Sequence, residues 1–354
     1  MRVVYASQLS PNDSSQYRLW ALERSGVEVI PLNSYDYGLN NPLLRKLEFR
    51  LAMGPEVNRM NRDLLSLVNE HSADVVWADK LLWMKPRTLT QLRERGVATV
   101  SYMIDNFFGT RRDPGWRLYS DCTSLYDLHV TQRDSNLKSY REHGARDVLK
   151  VQTAFEPTLH FPPKVPYADS QRDRGISFIG TPYDDRAEVL TKLTQKEQLP
   201  IALSGNPNQW KRVLDAGTFS DLYREGELYQ AEYREAIWRS KINLSFLTHS
   251  NQDEFAHKSF EIAACGGFLL AERSQGHLER FIEDKEAVFF GGYDELVTKI
   301  RQYLPDEDAR NRIAAAGHER AIRSGYDNDT QVQKIVEHIK TILPSIQAAK
   351  AGVR

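Results

Sequence analysis

Short β-branched runs alternate with glycine-stopped helices along most of this chain, and that alternation restricts its fold more than any other feature. RVVYAS reads as a strand, the polar loop SPNDSS follows, and QYRLWALERSG reads as a helix with Leu19 and Leu22 on one face and Gly26 as its stop. VEVIPLN is the next strand, and the pattern then repeats. A helix near MNRDLLSLVNEH leads to the strand DVVWAD, a helix near RTLTQLRERG leads to VATVSYMID, and SLYDLHVTQ leads to a helix SNLKSYREHG. Alternation of this kind predicts parallel strands joined by right-handed crossovers. The stretch from Asp36 to Met60 breaks the rhythm and is expected to be a helical insertion.

A segment containing Pro157, Pro162, Pro163 and Pro166 interrupts the alternation. Proline removes backbone donors and restricts its neighbours, so an irregular linker is expected there. Beyond it the pattern restarts with GISFIG, LPIALSG, INLSFLT, GFLLAE and AVFFGG as strands between helical stretches. From Asp294 onward the chain reads as helical, with a tail AKAGVR expected to fray. The expected organisation is an N-terminal Rossmann-like domain over 1–160, a second over 161–325, and a closing helix over 326–354 that crosses back to the first. Two open α/β domains joined in this way are expected to face each other across an interdomain cleft lined by strand C-termini.

The 354 residues suit two domains better than one. Hydrophobic residues are 41% and charged residues 27%, which is ordinary for a folded chain. A formal net charge of -1, with only short basic pairs such as Arg111–Arg112, gives no basic stripe for nucleic acid. Cys122 and Cys265 stand far apart, so neither a disulfide framework nor metal-ligand spacing is present. The N-terminus lacks the apolar core of a signal peptide, and no apolar run approaches a membrane span. These features point to a cytoplasmic protein. No GxGxxG follows the first strand, and neither a P-loop nor a GxSxG elbow occurs, which disfavours nicotinamide, P-loop and hydrolase-elbow chemistry. The histidines are scattered, so no metal site is expected.

The most specific stretch is INLSFLTHSNQDEFAHKSFEIAACGGFLLAE, from Ile242 to Glu272. A strand ends near Leu247, a polar loop follows with His249, Asn251, Asp253 and Glu254, and a helix begins near Ala256. Its early turns carry His257, Lys258, Ser259 and Glu261. Backbone donors at a helix N-terminus attract phosphate, and a lysine there adds a point charge. A carboxylate such as Glu261 can accept from both hydroxyls of a ribose. For Lys258 or Glu261 alone, an ordinary surface salt bridge is the better explanation; the ordered set is far less common by chance.

F-E-I-A-A-C-G-G-F-L-L, preceded by a basic residue, resembles the signature of the spore-maturation CgeB-type glycosyltransferases, which belong with the family 1 and family 4 enzymes in the GT-B superfamily. In retaining family 4 enzymes two glutamates with seven residues between them flank this helix start; Asp253 and Glu261 have that spacing here. Asp253 has a shorter reach than the usual glutamate, and Lys258 stands where the pattern usually has arginine, so it meets a diphosphate as a point charge and not as a bidentate fork. ISFIGTPYDDRAEVLTKL resembles the strand–loop–helix opening the family's second domain, with Gly180, Thr181 and Arg186 matching. ALSGNPNQW resembles a second donor-side loop, where Gly205 permits close backbone approach and Trp210 either stacks on a base or packs. The resemblance spans about Gly175 to Gly325 and is weak in the first half.

The resemblance implies a GT-B fold and a hexosyltransferase that moves a sugar from a nucleotide-sugar, on family grounds a UDP-sugar, with no cofactor and no metal. Lys258, Glu261, Asp253, Gly180, Thr181, Arg186, Gly205, Ser259 and His257 form the expected donor set. In the first half, Asp79 with Lys80 and Asp105 with Asn106 follow strands and are expected to face the cleft. Asp105 is the first candidate for the base that deprotonates an acceptor, and Asp13 is the second; capping or turn roles are equally compatible with either. The acceptor could be a glycan, a protein, a small molecule or a modified nucleic-acid base. A sugar-nucleotide epimerase of the same fold, a phage-type DNA-base glycosyltransferase and a non-catalytic binding or structural protein stay open as alternatives.

Overall fold

The protein is described by a computed structural model covering residues 1–109 and 114–351, so the basic pair Arg111–Arg112 and the end of the C-terminal tail lie outside the described residues. The chain divides into two compact units. The first is Met1–Gln152 together with the chain from Asn328 onward, and the second is Thr153–Asp327.

In the first unit, strands β1 (Arg2–Ser7), β2 (Glu28–Asn33), β3 (Val75–Asp79), β4 (Ala98–Met103), β5 (Leu128–Thr131) and β6 (Val148–Lys150) form one sheet in the order β2-β1-β3-β4-β5-β6. Every pairing is parallel; Val4 lies opposite Ile30 on one side and Val76 on the other. β3 and β4 are buried at every position, as strands covered by helices on both faces must be. The expected insertion forms a helix over Pro42–Leu51, followed by a longer helix over Pro55–Glu70 that begins earlier than the apolar spacing of MNRDLLSLVNEH suggests. Pro55 explains the difference, because proline is pre-set for the first helical position and needs no partner for a missing N–H.

The last helix, Asn328–Ala351, belongs to the first unit. Val332, Ile335, Val336 and Ile339 share one helical face and are buried in one apolar cluster with Leu19 and Leu22 of the helix Ser14–Arg24, against which the last helix packs, and with Val100 of β4. Arg24 Nε donates to Asp329 at 2.8 Å and fixes the start of this packing.

In the second unit, β7 (Arg174–Ile179), β8 (Ile201–Ser204), β9 (Tyr223–Glu225), β10 (Ser240–Ser245), β11 (Leu269–Glu272) and β12 (Val288–Phe290) form a second parallel sheet in the order β12-β11-β10-β7-β8-β9. The proline-bearing segment is part of this unit. Phe155, Glu156 and His160 are buried in it, and Phe155 bridges to Asp327.

The strand orders locate the crevices. In the first unit the chain leaves β1 for the β2 edge and then returns past β1 to β3; in the second it runs from β7 to β9 and then returns to β10. Between β1 and β3, and between β7 and β10, neighbouring loops leave the sheet in opposite directions. Ligands in open α/β sheets bind outside the strand C-termini at such points.

Candidate functional site

In the second unit the residues following β7 and β10 meet. The helix His257–Ala264 starts beyond β10, with Ala256 as its N-cap residue. Ser259 and His277 hold that start. His277 Nδ1 donates to the Glu272 carbonyl at 2.7 Å, so its Nε2 is the acceptor for the Ala256 N–H at 3.1 Å. Burial lowers the His277 pKa to about 4, which keeps the ring neutral and preserves this tautomer. The Ser259 hydroxyl lies 3.0 Å from His277 Nε2 and 3.0 Å from Ser245 Oγ and is fully buried. Ser259 therefore fixes the helix start from inside and does not face a ligand. The backbone N–H groups of His257 and Lys258 carry no hydrogen bond to another described residue and are the open donors of the first turn.

Lys258 is half-buried as a residue, but its ammonium points inward, bonded to the carbonyl of Ile179 at the end of β7. The same nitrogen lies 5.9 Å from the centre of the Tyr233 ring. Burial lowers the Lys258 pKa to about 8; Glu261 opposes that shift, and Arg186 adds to it. A Cβ placed on Gly180 would lie 3.0 Å from the Phe178 ring and 3.1 Å from the Lys258 nitrogen, so a side chain there would make both neighbours shift slightly.

Glu261 lies one turn further along the same helix and is buried. Tyr233 donates to its Oε2 at 2.8 Å, and His257 Nε2 lies 3.1 Å from Oε1. His160 Nε2 is 3.8 Å from the same oxygen. The Glu156 N–H donates to His160 Nδ1 at 3.1 Å, so the proton of a neutral His160 sits on Nε2 and faces the carboxylate. Burial pushes the Glu261 carboxyl up, but the two imidazoles and the Tyr233 hydroxyl outweigh it and hold the group well below the usual carboxylate range. Burial also lowers His160, so its share in that balance is an N–H dipole and not a full cation. With one donor on each oxygen, Glu261 keeps lone pairs for further donors.

Arg186 and Asp253 act differently from Lys258. The buried Arg186 guanidinium donates to the Thr181 carbonyl at 3.2 Å, the Leu247 carbonyl at 2.8 Å and Thr248 Oγ1 at 3.0 Å. It ties the loop after β7 to the loop after β10. Asp253 accepts from the Thr248 N–H at 3.2 Å and from Asn251 Nδ2 at 2.8 Å, which closes the second loop on itself. Gly205 follows β8 with φ +154, and a Cβ there would lie 2.2 Å from the Gly180 carbonyl oxygen. Trp210 is fully buried and donates from Nε1 to that same oxygen at 2.8 Å, so it packs and supports Gly180. Thr181 is half-buried beside Gly180.

In the first unit, Asp79 does not face a crevice. It is completely buried and accepts from Arg18 Nε at 2.6 Å, Arg18 Nη2 at 2.9 Å and the Tyr5 hydroxyl at 2.6 Å. The next residue turns outward. Lys80 takes the left-handed conformation, φ +49, and its ammonium pairs with Asp105 at 2.8 Å. The two side chains line a cavity of about 600 Å³ with Tyr35, Phe49, Trp83 and Trp116. Asp13 is the N-cap residue of the helix Ser14–Arg24, but its side chain makes no capping hydrogen bond. Burial raises the Asp13 pKa, while a hydrogen bond with Tyr35 and the charge of Lys80 oppose that shift.

The topology thus brings Lys258, Glu261, His257 and Gly180 into one cluster, with Gly205 and Arg186 as its supports, and brings Lys80, Asp105 and Asp13 into another. Tyr233, His160 and Tyr35 were missed by sequence reasoning. Tyr233 carried a faint signal, as an aromatic on the helix preceding the Ile242–Glu272 stretch. His160, within the proline-bearing segment, carried none.

No curated protein matches the chain. Residues 186–337 match a family model described as glycosyl transferase-like. Among solved structures, sucrose-phosphate synthase from Thermosynechococcus elongatus superposes with a TM-score of 0.70 at 13% identity, covering 97% of this chain and 99% of that one. HepE from Anabaena, in complex with UDP and glucose, superposes at 0.66 and 13% identity over 96% of this chain and 100% of that one. A glycosyltransferase from Rickettsia africae ESF-5 does so at 0.65 and 11% identity, over 97% and 98%. At such identities the likeness is one of fold: two α/β units, each built on a six-stranded parallel sheet, match the GT-B architecture, and the glycosyl transferase-like stretch begins at Arg186, which joins the loops after β7 and β10.

Proposed function

We propose that this protein is a glycosyltransferase that takes a sugar from a UDP-sugar and passes it to an acceptor hydroxyl without a metal ion. The observation that carries the reading is the cluster at the start of the helix His257–Ala264, where open backbone donors, a buried lysine and an ionised glutamate lie within one turn of each other. The UDP and glucose held by the Anabaena neighbour support the choice of donor.

The donor diphosphate lies against the helix N-terminus, where the macrodipole and the Lys258 ammonium stabilise the charge that develops on the leaving UDP. Glu261 accepts from the ribose hydroxyls, and His257, His160 and Tyr233 keep it ionised and oriented for that purpose. The short, self-bonded Asp253 keeps the loop shape and leaves the sugar to other groups. The acceptor enters the cavity of the first unit. Asp105 lines it and takes the acceptor proton, and the ion pair with Lys80 holds its carboxylate in place. Asp13, raised by burial, is the second choice because it does not line the cavity.

A thermal-shift screen over UDP-, GDP-, dTDP- and ADP-sugars tests the donor half. UDP-sugars are expected to raise the unfolding temperature, and Lys258→Ala and Glu261→Ala are expected to abolish the rise. Unchanged stabilisation in both variants would sink the donor assignment. Asp105→Asn is expected to spare donor binding and lower turnover by about 10²–10⁴-fold. Normal turnover in Asp105→Asn with loss in Asp13→Asn moves the base to Asp13.

A further inference from the structure

The helix Pro42–Leu51 is built in an unusual way. Asn41 caps it by accepting from the Leu43 and Leu44 N–H groups, and Pro42 opens it. Its apolar side chains are nevertheless left outside. Leu43 is 78% exposed, Leu44 50% and Leu47 53%, and Met53 just beyond the helix is 57% exposed. Lys46 and Arg50 are exposed beside them; Arg45 is exposed too, but its Nε donates to the Leu39 carbonyl at 2.8 Å, and Arg45 and Lys46 also line the rim of the first unit's cavity. The one acid of the helix, Glu48, is turned inward and is 3% exposed. Its Oε1 accepts from the Glu56 N–H at 2.9 Å, at the start of the helix Pro55–Glu70. Glu48 passes so close to Gly54, φ +150, that a Cβ there would lie 2.1 Å from the carboxylate oxygen. The outer surface of this helix therefore combines leucines with cations and has no exposed carboxylate of its own.

A helix this short is marginal in water when its apolar face is uncovered. A second copy of the chain would cover the leucines but set Lys46 and Arg50 of each copy against those of the other. A bilayer with anionic headgroups satisfies both parts of the surface, taking the leucines into the acyl boundary and the cations into the headgroup layer. We propose that the helix Pro42–Leu51 docks the protein on an anionic lipid surface.

Vesicle flotation tests this with the full chain. Co-flotation is expected with phosphatidylcholine vesicles containing phosphatidylglycerol, and not with phosphatidylcholine alone, and added salt is expected to release the protein. Leu43→Ser and Leu47→Ser are each expected to lower the partition about tenfold or more, from the burial each leucine loses. Arg50→Glu is expected to weaken binding to anionic vesicles. All three positions are exposed, so unfolding temperatures are expected to match the parent. Absence of flotation, equal flotation with neutral vesicles, or undiminished flotation of the leucine variants overturns the proposal. A dimer in sedimentation that is lost in the leucine variants, with no vesicle binding, assigns the face to a second copy and overturns it too. The readout involves no nucleotide, so failure here leaves the donor assignment standing, and failure of the donor assignment leaves this one standing.

Discussion

At the scale of single residues, Lys258 sets a pH dependence with a definite sign. Its ammonium loses water on entering the space beside Ile179 and Gly180, and its pKa falls to about 8. An arriving diphosphate favours the charged form and raises that value again. Between the two values the complex would hold a proton that the free protein lacks, so nucleotide affinity is expected to fall as pH rises through about 8 and to be unaffected well below it. The fall is limited to about tenfold per pH unit, the slope for uptake of one proton. Isothermal titration with UDP between neutral and alkaline pH measures it. Lys258→Arg keeps its charge across this range, so its affinity is expected to be weaker near neutrality, where the fit is poorer, but flat with pH. A wild-type profile as flat as that of the arginine variant would show that Lys258 does not meet the phosphate. Asp79 and Lys80 show how far neighbouring charges can differ: one is locked to Arg18 inside the sheet, and the next is turned out by a left-handed backbone toward Asp105.

At the scale of elements, the Lys258–Glu261 cluster depends on how closely the turns after β7 and β8 approach. Gly205 lies with φ +154 against the Gly180 carbonyl, which also accepts from Trp210. Alanine at 205 meets that oxygen and adopts a backbone conformation L-residues avoid, so Gly205→Ala is expected to cost about 2–4 kcal/mol. For a unit of this size that lowers the unfolding temperature by roughly 5–15 °C, and displacement of Gly180 is expected to remove the UDP stabilisation as well. Calorimetry with and without UDP separates the two effects. The strands and the helix bearing Lys258 and Glu261 were legible because their apolar periods are local and the glycines mark their ends. The three-residue strands β6 and β9 were not, since VLK and YRE are half-buried edge strands without the continuous apolar run that marks the equally short β12, VFF. Trp210 was legible only as an alternative between stacking and packing; the buried indole and its bond to Gly180 decide for packing. Ser259 was grouped with the ligand-facing residues because it adjoins Lys258, and a hydroxyl one position along a helix points about 100° away. Partners such as His160 for Glu261 lie a hundred residues away in sequence and follow from tertiary packing alone.

At the scale of the whole molecule, the chain crosses between its units twice, after Gln152 and after Asp327, and each of the four apolar core clusters of the described residues lies wholly within one unit. The second unit keeps its two clusters with no help from the last helix. The first does not: Val332, Ile335, Val336 and Ile339 complete the cluster that covers Val3, Tyr5, Leu19 and Val100. Each of those four aliphatic side chains contributes about 1.5–3 kcal/mol on burial, so the helix supplies roughly 6–12 kcal/mol, comparable with the 5–15 kcal/mol that keeps a typical domain folded. A chain ending at Asp327 is therefore expected to lose amide-exchange protection throughout β1, β3 and β4 while β7 and β10 stay protected. The same chain is expected to keep UDP binding, since Lys258, Glu261, His257 and Tyr233 all lie in the second unit. Protection retained in β1, β3 and β4 would show that the first unit folds on its other cluster alone. Protection lost from both sheets would show that the second unit, despite its separate core, needs the first to fold.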